Sequence, residues 1–177
     1  MKKLSAVIGL FCIFVLAGCG ATMPKDIAKS DPKLVLEEYF AGDTKAWGLF
    51  MDRFGKVRRQ FTVDVKGTWD GETLKLVEDF IYDDGEIEQR IWKLNKTGAD
   101  TYEGTADGVV GKATGSISGN AFNWEYTFDL KMKDDKILRV HFDDWMYLQE
   151  DGVVINKAVV TKLGFKLGEA IIVFKKE

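Results

Sequence analysis

Ala121-Phe122-Asn123-Trp124-Glu125-Tyr126-Thr127-Phe128-Asp129-Leu130-Lys131 alternates apolar and polar side chains without a break. Successive side chains of an extended chain point to opposite faces. Phe122, Trp124, Tyr126, Phe128 and Leu130 therefore share one face, and Asn123, Glu125, Thr127 and Asp129 the other. Such a strand buries one side and wets the other. The same period of two runs outward from here, with Phe61, Val63 and Val65 alternating with Gln60, Thr62, Asp64 and Lys66. Asp70-Gly71, Asp83-Asp84-Gly85, Gly119-Asn120, Asp134-Asp135 and Asp151-Gly152 supply turns between the runs. No proline follows Pro32, so nothing interrupts a ladder. The punctuation gives strands at 45–51, 56–67, 73–82, 86–94, 100–107, 111–118, 121–131, 136–149, 153–162 and 165–175. A long antiparallel meander closes on itself to remove its edges. The predicted fold is all-β, a single antiparallel up-and-down β-barrel of about ten strands with one short N-terminal helix. A β-sandwich is the alternative.

The helix signal precedes the first strand. Ser30 or Asp31 can cap it, Pro32 suits its first turn, and Gly42 stops it. Leu34 and Leu36 to Phe40 then form two to three turns packed across one end of the sheet.

One hairpin yields a register. If Asp83-Asp84-Gly85 is a three-residue loop, Tyr82 faces Glu86, Leu74 faces Leu94, Leu76 faces Trp92, Glu78 faces Arg90 and Phe80 faces Glu88. A two-residue loop sets Leu76 against Lys93, which wastes the apolar pairing. The chosen register places Glu78 and Arg90 among apolar side chains, where an isolated charge is costly and opposite charges pair. They form either a structural or rim ion pair or a polar anchor for a carboxylate or hydroxyl head group.

The N-terminus is a leader. Lys2 and Lys3 precede an apolar run from Leu4 to Ala17. That run reaches about 21 Å as a helix, short of the roughly 30 Å hydrocarbon core of a membrane. Leu16-Ala17-Gly18-Cys19 resembles the lipobox of bacterial lipoproteins. The resemblance implies lipidation of Cys19 and cleavage before it, and Gly20 rather than Asp after it implies an outer-membrane destination. Three segments follow: a lipoprotein signal peptide at 1–18, a lipidated tether at 19–30 and the barrel domain at 31–177. Cys12 leaves with the leader, so no thiol remains for a disulfide or a nucleophile. The formal charge is −3 with no basic cluster, which argues against nucleic acid as a partner. Membrane attachment then rests on the acylated Cys19.

Catalytic signatures are sparse. His141 is the sole histidine, in Arg139-Val140-His141-Phe142-Asp143-Asp144-Trp145, and cannot complete a usual zinc set without cysteine. His141, Asp143 and Asp144 form a candidate polar site for acid–base work, although adjacent strand residues face opposite ways unless a bulge intervenes. No serine sits in a nucleophile elbow. The glycines from Gly104 to Gly119 open no helix and read as relief for strand curvature. No cofactor or metal is expected. The candidate ligand cavity is lined by Leu76, Glu78, Arg90, Trp92, Trp124, Tyr126 and Phe128.

Five stretches carry a family resemblance: Lys45-Ala46-Trp47-Gly48, Phe61-Thr62-Val63-Asp64-Val65-Lys66-Gly67-Thr68-Trp69-Asp70-Gly71, Tyr102-Glu103-Gly104-Thr105-Ala106-Asp107, Phe142-Asp143-Asp144-Trp145-Met146-Tyr147-Leu148 and Lys162-Leu163-Gly164-Phe165. On these the domain resembles DUF3833, a family of bacterial lipoproteins with no assigned activity. The resemblance implies a lipocalin/calycin-like barrel in the envelope and transfers no catalytic residue. Gly67-Thr68-Trp69 is also similar to the Gly-X-Trp of lipocalins, displaced to the end of the second strand. Three functions follow as expectations. The first is a carrier of a small lipophilic or fatty-acyl ligand. The second is a structural or assembly lipoprotein that binds another envelope protein. The third is a barrel isomerase acting on a lipid.

Overall fold

The computed structural model describes residue 29, residues 31–132 and residues 136–177. The expected leader, Cys19, most of the expected tether and the predicted Asp134-Asp135 turn lie outside the described residues. Among the described residues one helix, α1 (Leu36–Phe40), precedes β1 (Gly42–Asp52), β2 (Val57–Trp69), β3 (Thr73–Tyr82), β4 (Ile87–Lys96) and β5 (Thr101–Thr105). Then come β6 (Ala113–Ser118), β7 (Ala121–Lys131), β8 (Ile137–Leu148), β9 (Val153–Lys162) and β10 (Phe165–Lys176), with a single 3-10 turn at Glu150–Gly152. Each strand pairs antiparallel with its sequence neighbours, and β1 pairs with β10, so the sheet closes. The sandwich alternative is excluded by that last ladder.

The hairpin register is the expected one. Leu74 faces Leu94, Leu76 faces Trp92, Glu78 faces Arg90 and Phe80 faces Glu88. Gly85 adopts a φ of 84°, and the Tyr82 N–H donates to the Glu86 carbonyl at 3.0 Å. A three-residue loop with glycine in the left-handed position does this.

Two expectations are corrected. The strands predicted at 100–107 and 111–118 are shorter, because Ala106 to Lys112 leaves their ladder and lies against β7. The Val110 N–H donates to the Thr127 carbonyl at 2.9 Å, and the Asp129 N–H donates to the Gly108 carbonyl at 2.8 Å. The predicted helix of two to three turns is a single turn with Val35 at its N-cap and no side-chain cap hydrogen bond there; the expected cap Ser30 lies outside the described residues. Leu34 stays extended because its N–H donates to the Gly119 carbonyl at 2.9 Å while its side chain is buried.

A one-turn helix is unstable alone, and packing sustains this one. Leu34, Leu36 and Phe40 enter the barrel end, each burial contributing roughly 1.5–3 kcal/mol. The Tyr39 hydroxyl donates to the Gly152 carbonyl at 2.9 Å, and Phe40 meets Phe174 edge-on at 5.7 Å. The plug seats on Gly67, whose missing side chain is the space taken by the Phe40 carbonyl. The glycines read as curvature relief have a packing role as well. A Cβ at Gly104 would lie 2.8 Å from the Trp124 ring, and one at Gly115 would strike Trp124 and Phe122. The Trp124 indole occupies what those side chains would have filled.

Gly67→Ala drives a methyl into backbone that cannot yield, so we expect a loss of about 1–3 kcal/mol in denaturant unfolding. Gly71→Ala tests strain alone, since its φ is 101° and nothing stands within 4 Å of an added Cβ.

Candidate functional site

The inner face is divided along the barrel axis. At the plugged end the interior is solid. Trp92 and Trp124 pack at 5.7 Å between ring centroids, Phe122 and Trp124 at 5.6 Å, and Trp92 and Tyr126 at 5.2 Å. Of the predicted lining, Leu76, Trp92 and Trp124 therefore form a floor. Beyond the floor the inward positions turn polar: Glu78 on β3, Glu88 and Arg90 on β4, Tyr126 on β7 and Asp144 on β8. Aromatic walls continue past them, with Tyr126 and Phe142 stacked at 4.9 Å and Phe61 lying 5.8 Å from Phe80.

Arg90 is held on several sides. Its guanidinium lies 5.0 Å from the Phe80 ring and 5.1 Å from the Phe128 ring. Glu78 faces it across the ladder, but the short hydrogen bond, 2.8 Å from Nη2, goes to Glu88 on its own strand. Glu88 also accepts from the Tyr82 hydroxyl at 2.9 Å. Tyr82 in turn carries Arg59 over its ring at 3.4 Å, and Arg59 pairs with Asp84 and Glu86 in the β3–β4 turn. A connected polar chain thus runs from the barrel mouth to the interior. Burial would lower the Arg90 pKa, but Glu78, Tyr126 and Glu88 outweigh it and keep the guanidinium charged.

The carboxyls behave otherwise. Burial pushes Glu78 up to about 7, with Arg90 opposing and Glu88 adding to the rise. Burial likewise pushes Asp144 up to about 7, against its hydrogen bond to Tyr126 and the charge of Arg90. Burial also raises the Tyr126 hydroxyl well above its ordinary value, so it remains a neutral donor. Asp144 is 7% exposed, and its Oδ1 has no hydrogen-bond partner in the protein, nor has Arg90 Nε.

The structure does not bring His141, Asp143 and Asp144 together. Asp144 faces inward, while Asp143 and His141 face outward on the same strand. Asp143 accepts from Asn123 at 2.7 Å, and the exposed His141 lies 4.0 Å from Glu125. The unbulged alternation of β8 separates them. Among the described residues no three His, Cys, Asp or Glu side chains converge as metal ligands. Glu88, Phe80, Tyr82 and Phe142 complete the site without having been singled out from the sequence. Phe142 and Asp144 were identifiable from their shared phase with Val140 and Leu148. Two surface grooves, of about 310 and 210 Å3, flank the plug and lie at the opposite end from this cluster.

A closed antiparallel barrel with a packed floor and an inward polar cluster is a lipocalin-like architecture. The chain belongs to the DUF3833 family, a protein of unknown function, whose family model matches residues 13–176. Among solved structures it is similar to the S-type phycobiliprotein lyase CPES from Guillardia theta. The two are 10% identical with a TM-score of 0.59, over 79% of this chain and 89% of that one. At that identity the likeness concerns the fold alone. No curated protein matches the sequence.

Between the ordinary carboxylate range and about 7, the folded protein holds protons on Glu78 and Asp144 that the unfolded chain has released. Stability therefore falls as pH rises through that window and is level above it. Denaturant unfolding is expected to show the barrel on the order of 3 kcal/mol less stable at pH 8 than at pH 5. Glu78→Gln and Asp144→Asn should each flatten the profile; a slope untouched by both would mean that neither carboxyl takes up a proton on folding.

Proposed function

We propose that this protein is an envelope lipoprotein whose barrel binds a small lipophilic ligand. The apolar body lies against Phe61, Phe80, Phe128 and Phe142, and the polar end meets Glu78, Arg90, Tyr126 and Asp144. One observation carries the reading. Arg90 is enclosed by the barrel, yet 20% of its side-chain surface remains accessible, beside an Asp144 oxygen that nothing in the protein satisfies. An orphaned buried polar atom costs roughly 1–3 kcal/mol, a cost that a bound water or the polar end of a ligand would offset. Barrels of this size either fill with side chains or hold one small ligand, and the unsatisfied polar atoms above the floor support the second outcome here. Leu16-Ala17-Gly18-Cys19 supports attachment through a lipidated Cys19, and Gly20 supports the outer membrane. The isomerase alternative draws no support from His141, which points away from the interior.

Detergent-free protein mixed with N-phenyl-1-naphthylamine, a neutral apolar fluorophore, tests it. Saturable 1:1 fluorescence with energy transfer from Trp92 and Trp124 is expected, and Phe142→Ala should weaken it several-fold. Native mass spectra without any adduct, together with no uptake of the fluorophore, would end the carrier reading.

A second reading is favoured by the barrel mouth. Phe54, Ile87, Ile137, Leu163 and Phe165 crown the end opposite α1, with Leu163 89% and Phe54 79% exposed. Large apolar side chains clustered on turns mark a contact surface, which suits a lipoprotein that docks on another envelope protein. A photo-crosslinker at Leu163 should yield a discrete adduct in cells, and one at Trp47 on the outer wall should not. Equal labelling from both positions removes this reading.

A further inference from the structure

We infer that the interior selects a ligand whose polar end is a protonated amine or another hydrogen-bond donor, and rejects a free carboxylate. This rests on the carrier reading and names the class of head group. The charged and titratable side chains facing the interior above the floor are Glu78, Glu88, Arg90, Tyr126 and Asp144, with Tyr82 toward the mouth donating its hydroxyl to Glu88. Three are carboxyls and one is a cation, and the cation is already engaged by Glu88 at 2.8 Å and by the Phe80 and Phe128 rings. Arg59 at the mouth is committed likewise, to Asp84 at 2.9 Å and Glu86 at 2.6 Å. A fatty-acid carboxylate entering this space finds both guanidinium groups already paired with carboxylates, with only the Nε donors of Arg90 and Arg59 open. It adds a further negative charge where the surrounding medium screens poorly.

A donor meets the opposite situation. Asp144, 7% exposed, presents an acceptor oxygen that no protein group satisfies. Tyr126 hydrogen-bonds the carboxylate and orients it, and Glu78 lies close enough for its charge to raise Asp144. An ammonium group placed between them takes over the role that protons play in the free protein. Its three donors suit two carboxyls and leave Arg90 with Glu88. The Phe80, Phe128 and Phe142 rings around the cluster add faces that attract a cation and repel an anion.

Isothermal titration of the whole chain, held in amphipol, with octylamine, octan-1-ol and octanoate separates the outcomes. These share one apolar body and differ only in the head group. Octylamine is expected to bind at least tenfold more tightly than octanoate at pH 8, with the alcohol between them. Its affinity should fall several-fold at pH 6, where protons compete for Glu78 and Asp144. The double substitution Glu78→Gln with Asp144→Asn should bring the amine and the acid within about threefold of each other. Octanoate binding as tightly as octylamine, or uptake of N-phenyl-1-naphthylamine without any octyl compound, overturns the head-group inference and leaves the carrier reading standing. Failure of the fluorophore and all three octyl compounds overturns both.

Discussion

The ladder between β1 and β10 is the constraint from which the rest follows. Once Ala46 sits opposite Phe174 and Gly48 opposite Ile172, the sheet has no edge, and every second side chain of every strand is committed to one enclosed space. Enclosure makes apolar side chains stabilising and charges costly in the same volume. Where the chain places Leu74, Leu94 and Phe122 inward, it builds a core. Where it places Glu78, Arg90 and Asp144 inward, it builds a group of charges that must be satisfied by one another or by something else.

The two ends of the barrel solve different problems. At the plugged end α1 and the extended Leu34 fill the cross-section, Gly67 admits the helix backbone, and Gly104 and Gly115 make way for Trp124. Those glycines trade local side-chain volume for one large indole, which spans more of the lumen than several small groups could. At the mouth the strands run into turns carrying Phe54, Ile87 and Leu163 outward, and the inward positions carry a relay from Arg59 through Tyr82 and Glu88 to Arg90. A barrel stabilised at its floor tolerates charge above it, because apolar burial at the floor offsets what those charges cost.

Much of this was legible before any coordinates. The two-residue period placed every strand of the barrel, and the Asp83-Asp84-Gly85 loop fixed the β3–β4 register, including Glu78 against Arg90. Those are local matters, decided by pleat and turn geometry within a dozen residues. Parity along β8 was legible too, yet the adjacency of Asp143 and Asp144 in sequence drew attention to a cluster that the pleat divides between two faces. The detour of Ala106 to Lys112 onto β7 escaped, since that pairing joins Gly108 to Asp129 across the whole of β6. The early end of the expected helix escaped for the same reason: Leu34 answers to Gly119, far along the chain.

By itself, then, the sequence determined which side of each strand would be buried, where the chain would turn, and that Glu78 of β3 and Arg90 of β4 would face each other among apolar side chains. Alternation and turn chemistry act between near neighbours, so the order of residues suffices to state them. The tertiary structure alone decided which of the inward charges meet. Barrel curvature brings Asp144 of β8 and Tyr126 of β7 across the lumen toward Arg90 of β4, turns Arg90 onto Glu88, and leaves one carboxylate oxygen unanswered. Distances across a lumen depend on the closure of all ten strands at once, and no local pattern encodes them.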